Sequence, residues 1–83
     1  MQKILLITGG LGYIGSHAVV AFEYAGYKTV IIDNLSNSSQ DVLPGIKKIL
    51  GYTPEFYEGD IRDKPFLERL FEKYSFDGVI HFA

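Results

Sequence analysis

The chain of 83 residues contains no cysteine, no excess of basic charge and no long hydrophobic run. Without cysteine it has neither a disulfide framework nor a thiolate metal site, which suits a reducing compartment and predicts a cytoplasmic location. Eight Lys and Arg against ten Asp and Glu give a formal net charge of −2, so no basic footprint for nucleic acid or anionic membrane is expected. No apolar run approaches the roughly 20 residues of a membrane span.

The hydrophobic residues that are present, 47% of the chain, fall into short runs that alternate with segments of helical periodicity. Short apolar runs bounded by glycine or polar residues are typical of strands buried on both faces of a parallel sheet. The pattern predicts strands at 4–7, 29–32, 55–58 and 78–83, and helices at 13–25, 43–50 and 64–74. The first helix is expected to bury one stripe, namely Ile14, Ala18, Ala21, Phe22 and Ala25.

This alternation predicts an α/β fold made of βαβ units. Right-handed crossovers place the first two helices on one face of the sheet and the third on the other. The expected strand order is 3-2-1-4, the first half of a Rossmann-like doubly wound parallel sheet with helices on both faces. Residues 1–83 are therefore predicted to be the truncated, amino-terminal part of a dinucleotide-binding domain.

The strongest motif is a glycine-rich turn between the first strand and the first helix. An early glycine, Gly9 or Gly10, makes the tight turn, Gly12 lets a pyrophosphate approach the backbone, and Gly15 lets the helix pack closely on the sheet. The N-terminus of the helix presents free N–H groups and a partial positive charge to the phosphates. The alternative is a glycine-rich turn without a ligand.

A carboxylate at the end of the second strand strengthens the prediction. Asp33 follows Gly15 by eighteen positions, where it can accept hydrogen bonds from an adenosine ribose and repel a 2′-phosphate, which favours NAD over NADP. The alternative role is a capping or turn aspartate. The polar residues of the loop that follows either hold the ribose or shape the loop: Asn34, Ser36, Asn37 and Ser38.

The ends of the third and fourth strands supply further candidates. Asp60 can accept a hydrogen bond from the adenine amino group while Ile61 forms an apolar wall, or Asp60 is only a turn former before the third helix. Phe82 and Ala83 lie beside the expected switch point of the sheet, where a dinucleotide crosses.

Three other features are not assigned to chemistry. His81 is interpreted as a hydrogen-bonded packing residue and His17 as a solvated one, and no metal site is predicted. The pattern Tyr24-x-x-x-Lys28 matches the acid–base pair of short-chain dehydrogenases. However, Gly26 is expected to end the helix between the two residues, which places them at the amino edge of the sheet, away from the cofactor.

Four blocks of the sequence resemble the amino-terminal part of the UDP-glucose 4-epimerase family of extended short-chain dehydrogenases/reductases. They are GGLGYIGSH at 9–17, IDNLSNS at 32–38, EGDIR at 58–62 and VIHFA at 79–83, and the resemblance covers the whole chain. It implies a tightly held NAD and the interconversion of UDP-glucose and UDP-galactose through a 4-keto intermediate, usually in a homodimer. The contacts that it implies are at Tyr13, Ile14, Asp33, Asn34, Leu35, Ser36, Asn37, Ser38, Asp60, Ile61, Phe82 and Ala83.

The family's Ser/Thr, its Tyr-x-x-x-Lys pair and its nucleotide-sugar domain lie beyond Ala83. No catalytic residue is therefore assigned, the UDP-sugar is expected to bind through the missing part, and the isolated chain is expected to be inactive. Two alternatives stay open. One is an NAD-dependent nucleotide-sugar dehydratase or decarboxylase of the same superfamily, and the other is a non-catalytic fragment that binds nucleotide or complements a partner.

Overall fold

Strands and helices alternate along the whole of the described chain, as predicted. The computed structural model describes residues 2–36 and 38–82. The elements are β1 (Ile4–Thr8), α1 (Tyr13–Tyr24), β2 (Lys28–Asp33), α2 (Val42–Leu50), β3 (Glu55–Glu58), α3 (Lys64–Lys73) and β4 (Gly78–His81). Their boundaries differ from the predicted ones by at most two residues, which is the usual scatter at the ends of elements, and those of β3 coincide.

The four strands form one parallel sheet in the order β3-β2-β1-β4. Leu6 of β1, for example, lies between Val30 of β2 and Val79 of β4. The predicted order 3-2-1-4 is confirmed, so the switch point lies between β1 and β4. The two central strands are buried along almost their entire length, in agreement with their continuous apolar runs.

Helices cover both faces of the sheet, as predicted. On one face α1 and α2 contribute Val19 and Ile46 to a core with the side chains of Leu5, Ile7, Leu11 and Ile31. On the other face α3 contributes Leu70 to a second core with Leu6, Val30 and Ile32. Successive residues of β1 and β2 therefore point into different cores, and the sheet is the layer shared by both.

The buried face of α1 differs from the prediction. The helix buries Gly15 and Val19, whereas Ile14 is 66% exposed. A Cβ atom on Gly15 would collide with the carbonyl oxygen of Gly9, so α1 contacts the turn through its glycine. This close contact sets the rotation of the helix about its axis, and a periodicity analysis that ranks side chains by hydrophobicity does not detect it.

Candidate dinucleotide site

A cleft of about 190 Å³ lies at the carboxyl edge of the sheet and is lined from the ends of all four strands. Its walls are formed by Gly9, Gly12, Ile32, Asp33, Asn34, Ser36, Ser38, Gly59, Asp60, Ile61 and Phe82. Nine of these residues were singled out from the sequence, and Ile32 and Gly59 were not. In open parallel sheets, ligands bind outside the carboxyl ends of the strands, so the cleft lies where a ligand site is expected.

The glycines of the first turn differ in what the fold requires of them. Gly9 has φ +70, a left-handed conformation that favours glycine, and Gly15 is needed for the close contact of α1. Gly12 has an ordinary extended backbone, with φ −73 and ψ 173. A Cβ atom on Gly12 would approach only the Gly9 carbonyl oxygen, at 3.4 Å. The fold therefore has room for a side chain at Gly12, which is a residue of the cleft wall.

The N-terminus of α1 has no side-chain cap and no acidic residue within its first turn. Its N-cap residue is Gly12. The first bond of the helix runs from the Ser16 N–H to the Gly12 carbonyl at 2.8 Å, so the N–H groups of Tyr13, Ile14 and Gly15 precede the hydrogen-bonded ladder. None of these three residues lines the cleft, and the first two have exposed side chains. Their contribution to anion binding would therefore come from the backbone.

Asp33 connects the glycine turn to the loop after β2. The residue is 7% exposed, and one carboxylate oxygen, Oδ2, accepts a hydrogen bond from the Leu11 N–H at 3.0 Å. The other oxygen, Oδ1, accepts from the Leu35 N–H at 2.8 Å and from the Ser38 hydroxyl at 2.7 Å. Two carboxylate oxygens have about four acceptor positions. Asp33 therefore has the turn-forming role that the sequence left open, and as a residue of the cleft wall it retains about one acceptor position.

The loop after Asp33 folds back on itself. The Asn34 side-chain oxygen accepts a hydrogen bond from the Ser36 N–H at 3.0 Å, which is a local turn of the type that asparagine favours. Asn34, Ser36 and Ser38 line the cleft, whereas Leu35 does not. The side chain of Leu35 packs against the core on the α1 and α2 face instead. Asn37 lies outside the described residues.

Asp60 is held by Arg62. The guanidinium of Arg62 donates to both carboxylate oxygens of Asp60, with its closest nitrogen 2.8 Å away, and the Arg62 N–H also donates to the carboxylate. The Arg62 guanidinium, followed by the Arg62 N–H, lowers the pKa of Asp60 to about 2. In addition, the Asp60 carbonyl accepts from the Asp63 N–H at 2.9 Å. Asp60 is therefore an ionised acceptor in the cleft wall and also the turn former that was the alternative.

The end of β4 completes the cleft. The Phe82 N–H donates to the Thr8 carbonyl at 2.8 Å, which brings the Phe82 side chain to the cleft, and Ala83 lies outside the described residues. His81 Nδ1 is 2.6 Å from the Thr8 hydroxyl oxygen. The predicted hydrogen bond of His81 is confirmed, but its packing is not, because β4 is an edge strand and His81 is exposed.

Tyr24 and Lys28 do not form an acid–base pair. The Tyr24 hydroxyl donates to the Ile49 carbonyl of α2 at 3.2 Å, whereas the Lys28 ammonium lies 5.7 Å from the centre of the Tyr74 ring, after α3. The two side chains thus extend toward opposite faces of the sheet, and α1 ends between them. The interpretation of the pair as a chance match is confirmed. His17 is exposed, as predicted.

Within the described residues, 2–36 and 38–82, no helix has the length and apolar character needed to cross a membrane. The same residues include no group of three His, Asp or Glu side chains arranged to hold a metal ion.

The sequence matches the NAD dependent epimerase/dehydratase family over residues 5–83. Among curated proteins, a UDP-glucose 4-epimerase of Yersinia pestis is 54% identical over 79 residues, which cover 95% of this chain and 23% of that protein. A UDP-glucose 4-epimerase of Neisseria meningitidis serogroup B is 52% identical over 82 residues, 99% of this chain and 24% of that protein. The chain thus spans about a quarter of the length of these relatives.

Solved structures share the fold. A UDP-glucose 4-epimerase of Stenotrophomonas maltophila, with bound NAD and formylated UDP-arabinopyranose, superposes with a TM-score of 0.92 at 43% identity, over all of this chain and 24% of that one. The Bifidobacterium longum enzyme, in complex with NAD+ and UDP, gives a TM-score of 0.93 at 38% identity, over 98% of this chain and 24% of that one. The β3-β2-β1-β4 sheet is therefore a Rossmann-like sheet of the kind found in epimerases.

Proposed function

The chain belongs to the NAD-dependent epimerase/dehydratase family, and from this premise we propose that residues 1–83 are the amino-terminal part of the NAD-binding domain of a UDP-glucose 4-epimerase. The relatives at about 50% identity are UDP-glucose 4-epimerases, and two solved neighbours contain bound NAD. NAD is accordingly the cofactor that the cleft is proposed to bind.

The absence of a side chain at Gly12 is the observation that carries this proposal. Neither the backbone conformation of Gly12 nor its neighbours require glycine. Gly12 nevertheless lies in the cleft wall, at the N-terminus of a helix that has no side-chain cap. An open approach to such a helix end is what a pyrophosphate needs. A glycine turn without a ligand would not favour glycine over Ser, Asp or Asn, which are better N-cap residues.

The other residues of the cleft suit an adenosine group. Asp33 lines the cleft, where its remaining acceptor position would hold a ribose hydroxyl and its charge would oppose a 2′-phosphate. Asp60, whose pKa Arg62 lowers, would accept from the adenine amino group beside the apolar side chain of Ile61, and Phe82 would lie where the dinucleotide crosses the sheet; a contact at Ala83 is proposed from the resemblance alone. The cleft of about 190 Å³ is smaller than the roughly 300–1,000 Å³ of complete ligand sites, which fits one half of a dinucleotide.

The activity proposed for the whole protein is the interconversion of UDP-glucose and UDP-galactose. NAD, when bound, supplies reversible hydride transfer at the sugar C4, through a 4-keto intermediate. The residues described here would bind and orient the cofactor, and none is assigned to proton transfer. The catalytic Tyr and Lys, the UDP-sugar site and the surface of a homodimer are proposed to belong to the part of the family's length that this chain does not span. A cytoplasmic location is proposed from the absence of cysteine.

Two other functions remain as alternatives to the epimerase. A nucleotide-sugar dehydratase or decarboxylase of the same superfamily would use an equivalent cofactor site, and its substrate would be set by the sugar-binding half of the protein. A non-catalytic fragment would bind nucleotide or a complementing polypeptide without turnover. To separate a cofactor segment of an enzyme from a non-catalytic fragment, residues 1–83 can replace the equivalent segment of the Yersinia pestis epimerase. Recovery of activity in the chimaera would contradict the non-catalytic fragment, whereas the sequence of the sugar-binding half would separate the epimerase from the dehydratase and the decarboxylase.

Cofactor binding by the chain is tested by calorimetric titration with NAD, and with NADP as the control. We expect saturable binding of NAD and no binding of NADP. The matched variant is Gly12→Ser, because serine is at least as good an N-cap as glycine but places a side chain in the cleft. This variant should unfold at the temperature of the unmodified chain and bind NAD at least tenfold more weakly. A folded chain that binds neither cofactor, or a Gly12→Ser variant of unchanged affinity, would contradict the proposal.

A further inference from the structure

Leu35 has an unusual backbone conformation inside the candidate site. Among the described residues it is the one non-glycine residue with positive φ, at +63. Steric contact between the side chain and the backbone makes this left-handed region unfavourable for residues with a Cβ atom, and bulky residues are rare there. A residue held in such a conformation needs compensation from its surroundings, and residues of this kind cluster at functional sites.

Two contacts of Leu35 supply that compensation. Its side chain packs against the core on the α1 and α2 face, and its N–H donates to Oδ1 of Asp33 at 2.8 Å. The side chain and the N–H are thus both held, one by the core and the other by the carboxylate of the cleft. Leu35 is therefore held by contacts on the side of the loop away from the cleft, which it does not line.

The conformation of Leu35 determines where the rest of the loop lies. The chain reverses at this residue, and three positions later the Ser38 hydroxyl returns to the same oxygen of Asp33, at 2.7 Å. The neighbours Asn34 and Ser36, joined by their own hydrogen bond, line the cleft together with Ser38. If Leu35 adopted the ordinary extended or helical conformation, the chain would continue from Leu35 in a different direction.

We propose that Leu35 is a positioning residue of the cofactor site: its half-buried side chain, packed against the core, holds a left-handed backbone that presents the polar groups of residues 34, 36 and 38 to the adenosine ribose. This inference rests on the proposed function. Affinity for a ligand falls in proportion to the fraction of protein whose loop is in the binding conformation. Loosening Leu35 should therefore weaken NAD binding although Leu35 does not contact the ligand through its side chain.

Two substitutions at this position separate a backbone role from simple packing. Leu35→Ala removes the packing but retains the Cβ atom that disfavours positive φ, so the loop should leave the left-handed conformation. Leu35→Gly removes still more packing but accepts positive φ readily. If the backbone conformation matters, glycine is the better replacement, and if only packing matters, alanine is. Leu50→Ala in α2, whose leucine packs against the same core, is the matched control for lost packing.

The experiment measures the NAD dissociation constant by calorimetry and the hydrogen exchange of the residue-35 amide in the full chain. We expect Leu35→Ala to weaken NAD binding about tenfold and to expose the amide, Leu35→Gly to recover most of both, and Leu50→Ala to stay within about twofold of the unmodified chain. Leu35→Gly binding as weakly as Leu35→Ala, or Leu50→Ala binding equally weakly, would overturn the positioning role.

The exchange measurement also distinguishes this inference from the proposed function. If the unmodified chain binds no NAD, the proposed function fails and the role of Leu35 in cofactor binding fails with it. The exchange rates of the three variants then still decide whether Leu35 holds the loop against Asp33. If NAD binds and the amide is equally protected in all variants, the proposed function stands and the positioning role is wrong.

Discussion

A glycine-to-alanine substitution should have opposite effects on stability in α1 and in α2. In α1, a Cβ atom on Gly15 would collide with the Gly9 carbonyl oxygen and lie 3.0 Å from the Gly10 Cα. Both neighbours are backbone atoms, so no side-chain rotation relieves the contact and the helix must move away from the turn. In α2, a Cβ atom on Gly45 would meet no atom within 4 Å.

The expected magnitudes follow from these two environments. Alanine favours a helix over glycine by about 1 kcal/mol, whereas overpacking of a close contact costs about 1–3 kcal/mol. Because both partners are backbone, we take the upper part of that range for Gly15→Ala and expect a net loss of about 2 kcal/mol. Gly45→Ala should gain about 0.5–1 kcal/mol, since only the helix propensity changes. For a domain of this size, 1 kcal/mol corresponds to about 4–8 °C in Tm.

Thermal unfolding followed by circular dichroism measures both effects. Gly15→Ala should lower the Tm by about 8–16 °C and Gly45→Ala should raise it by about 2–8 °C. Equal shifts of the same sign in the two variants would refute the reasoning, since the two positions would then respond to helix propensity alone. An increase in Tm for Gly15→Ala would show that α1 does not make the close contact with the turn.

Three further results are expected. Asp33→Asn should lower the unfolding free energy by about 1–3 kcal/mol and weaken NAD binding, because the amide nitrogen is a donor where a carboxylate oxygen now accepts. The control is Asp41→Asn, at an N-cap without a side-chain hydrogen bond. It should have little effect when both variants are unfolded with urea. The pKa of Asp60 is lowered from 3.8 to about 2. The ionised carboxylate therefore stabilises the folded chain fully above about pH 4, and this stabilisation is lost as the pH falls through 2. Arg62→Gln should remove it, so the unfolding free energies of the variant and the unmodified chain should converge as the pH is lowered from 5 to 2. Glu23→Gln should lower the Tm, because Glu23 accepts from three donors at the amino edge, and should leave NAD affinity unchanged at temperatures where the chain is folded.

Strand order, helix placement and most of the cleft wall could be predicted from the sequence because they depend on local patterns. In any parallel sheet, a short apolar run indicates a buried strand, and a glycine turn or an aspartate after a strand indicates a site at its carboxyl end. The exposed face of α1 could not be predicted, because it depends on a contact between Gly15 and the turn rather than on side-chain hydrophobicity. The bond from the Leu11 N–H to Asp33 joins residues 22 positions apart, and no local pattern encodes it. No local pattern encodes the left-handed conformation of Leu35 either, because it depends on packing against core residues that are distant in the sequence.

The glycine-rich motif itself combines two kinds of constraint that a sequence pattern cannot separate. Gly15 is required by the packing of α1 on the turn, so it would be needed with or without a ligand. Gly12 has an ordinary backbone and room for a side chain, so glycine there serves what enters the cleft. The variants make this division measurable: Gly15→Ala should lower stability and, through it, binding, whereas Gly12→Ser should lower binding alone. A motif match at these positions therefore indicates a ligand only through Gly12, and a chain with a side chain at that position could retain this fold without the cofactor.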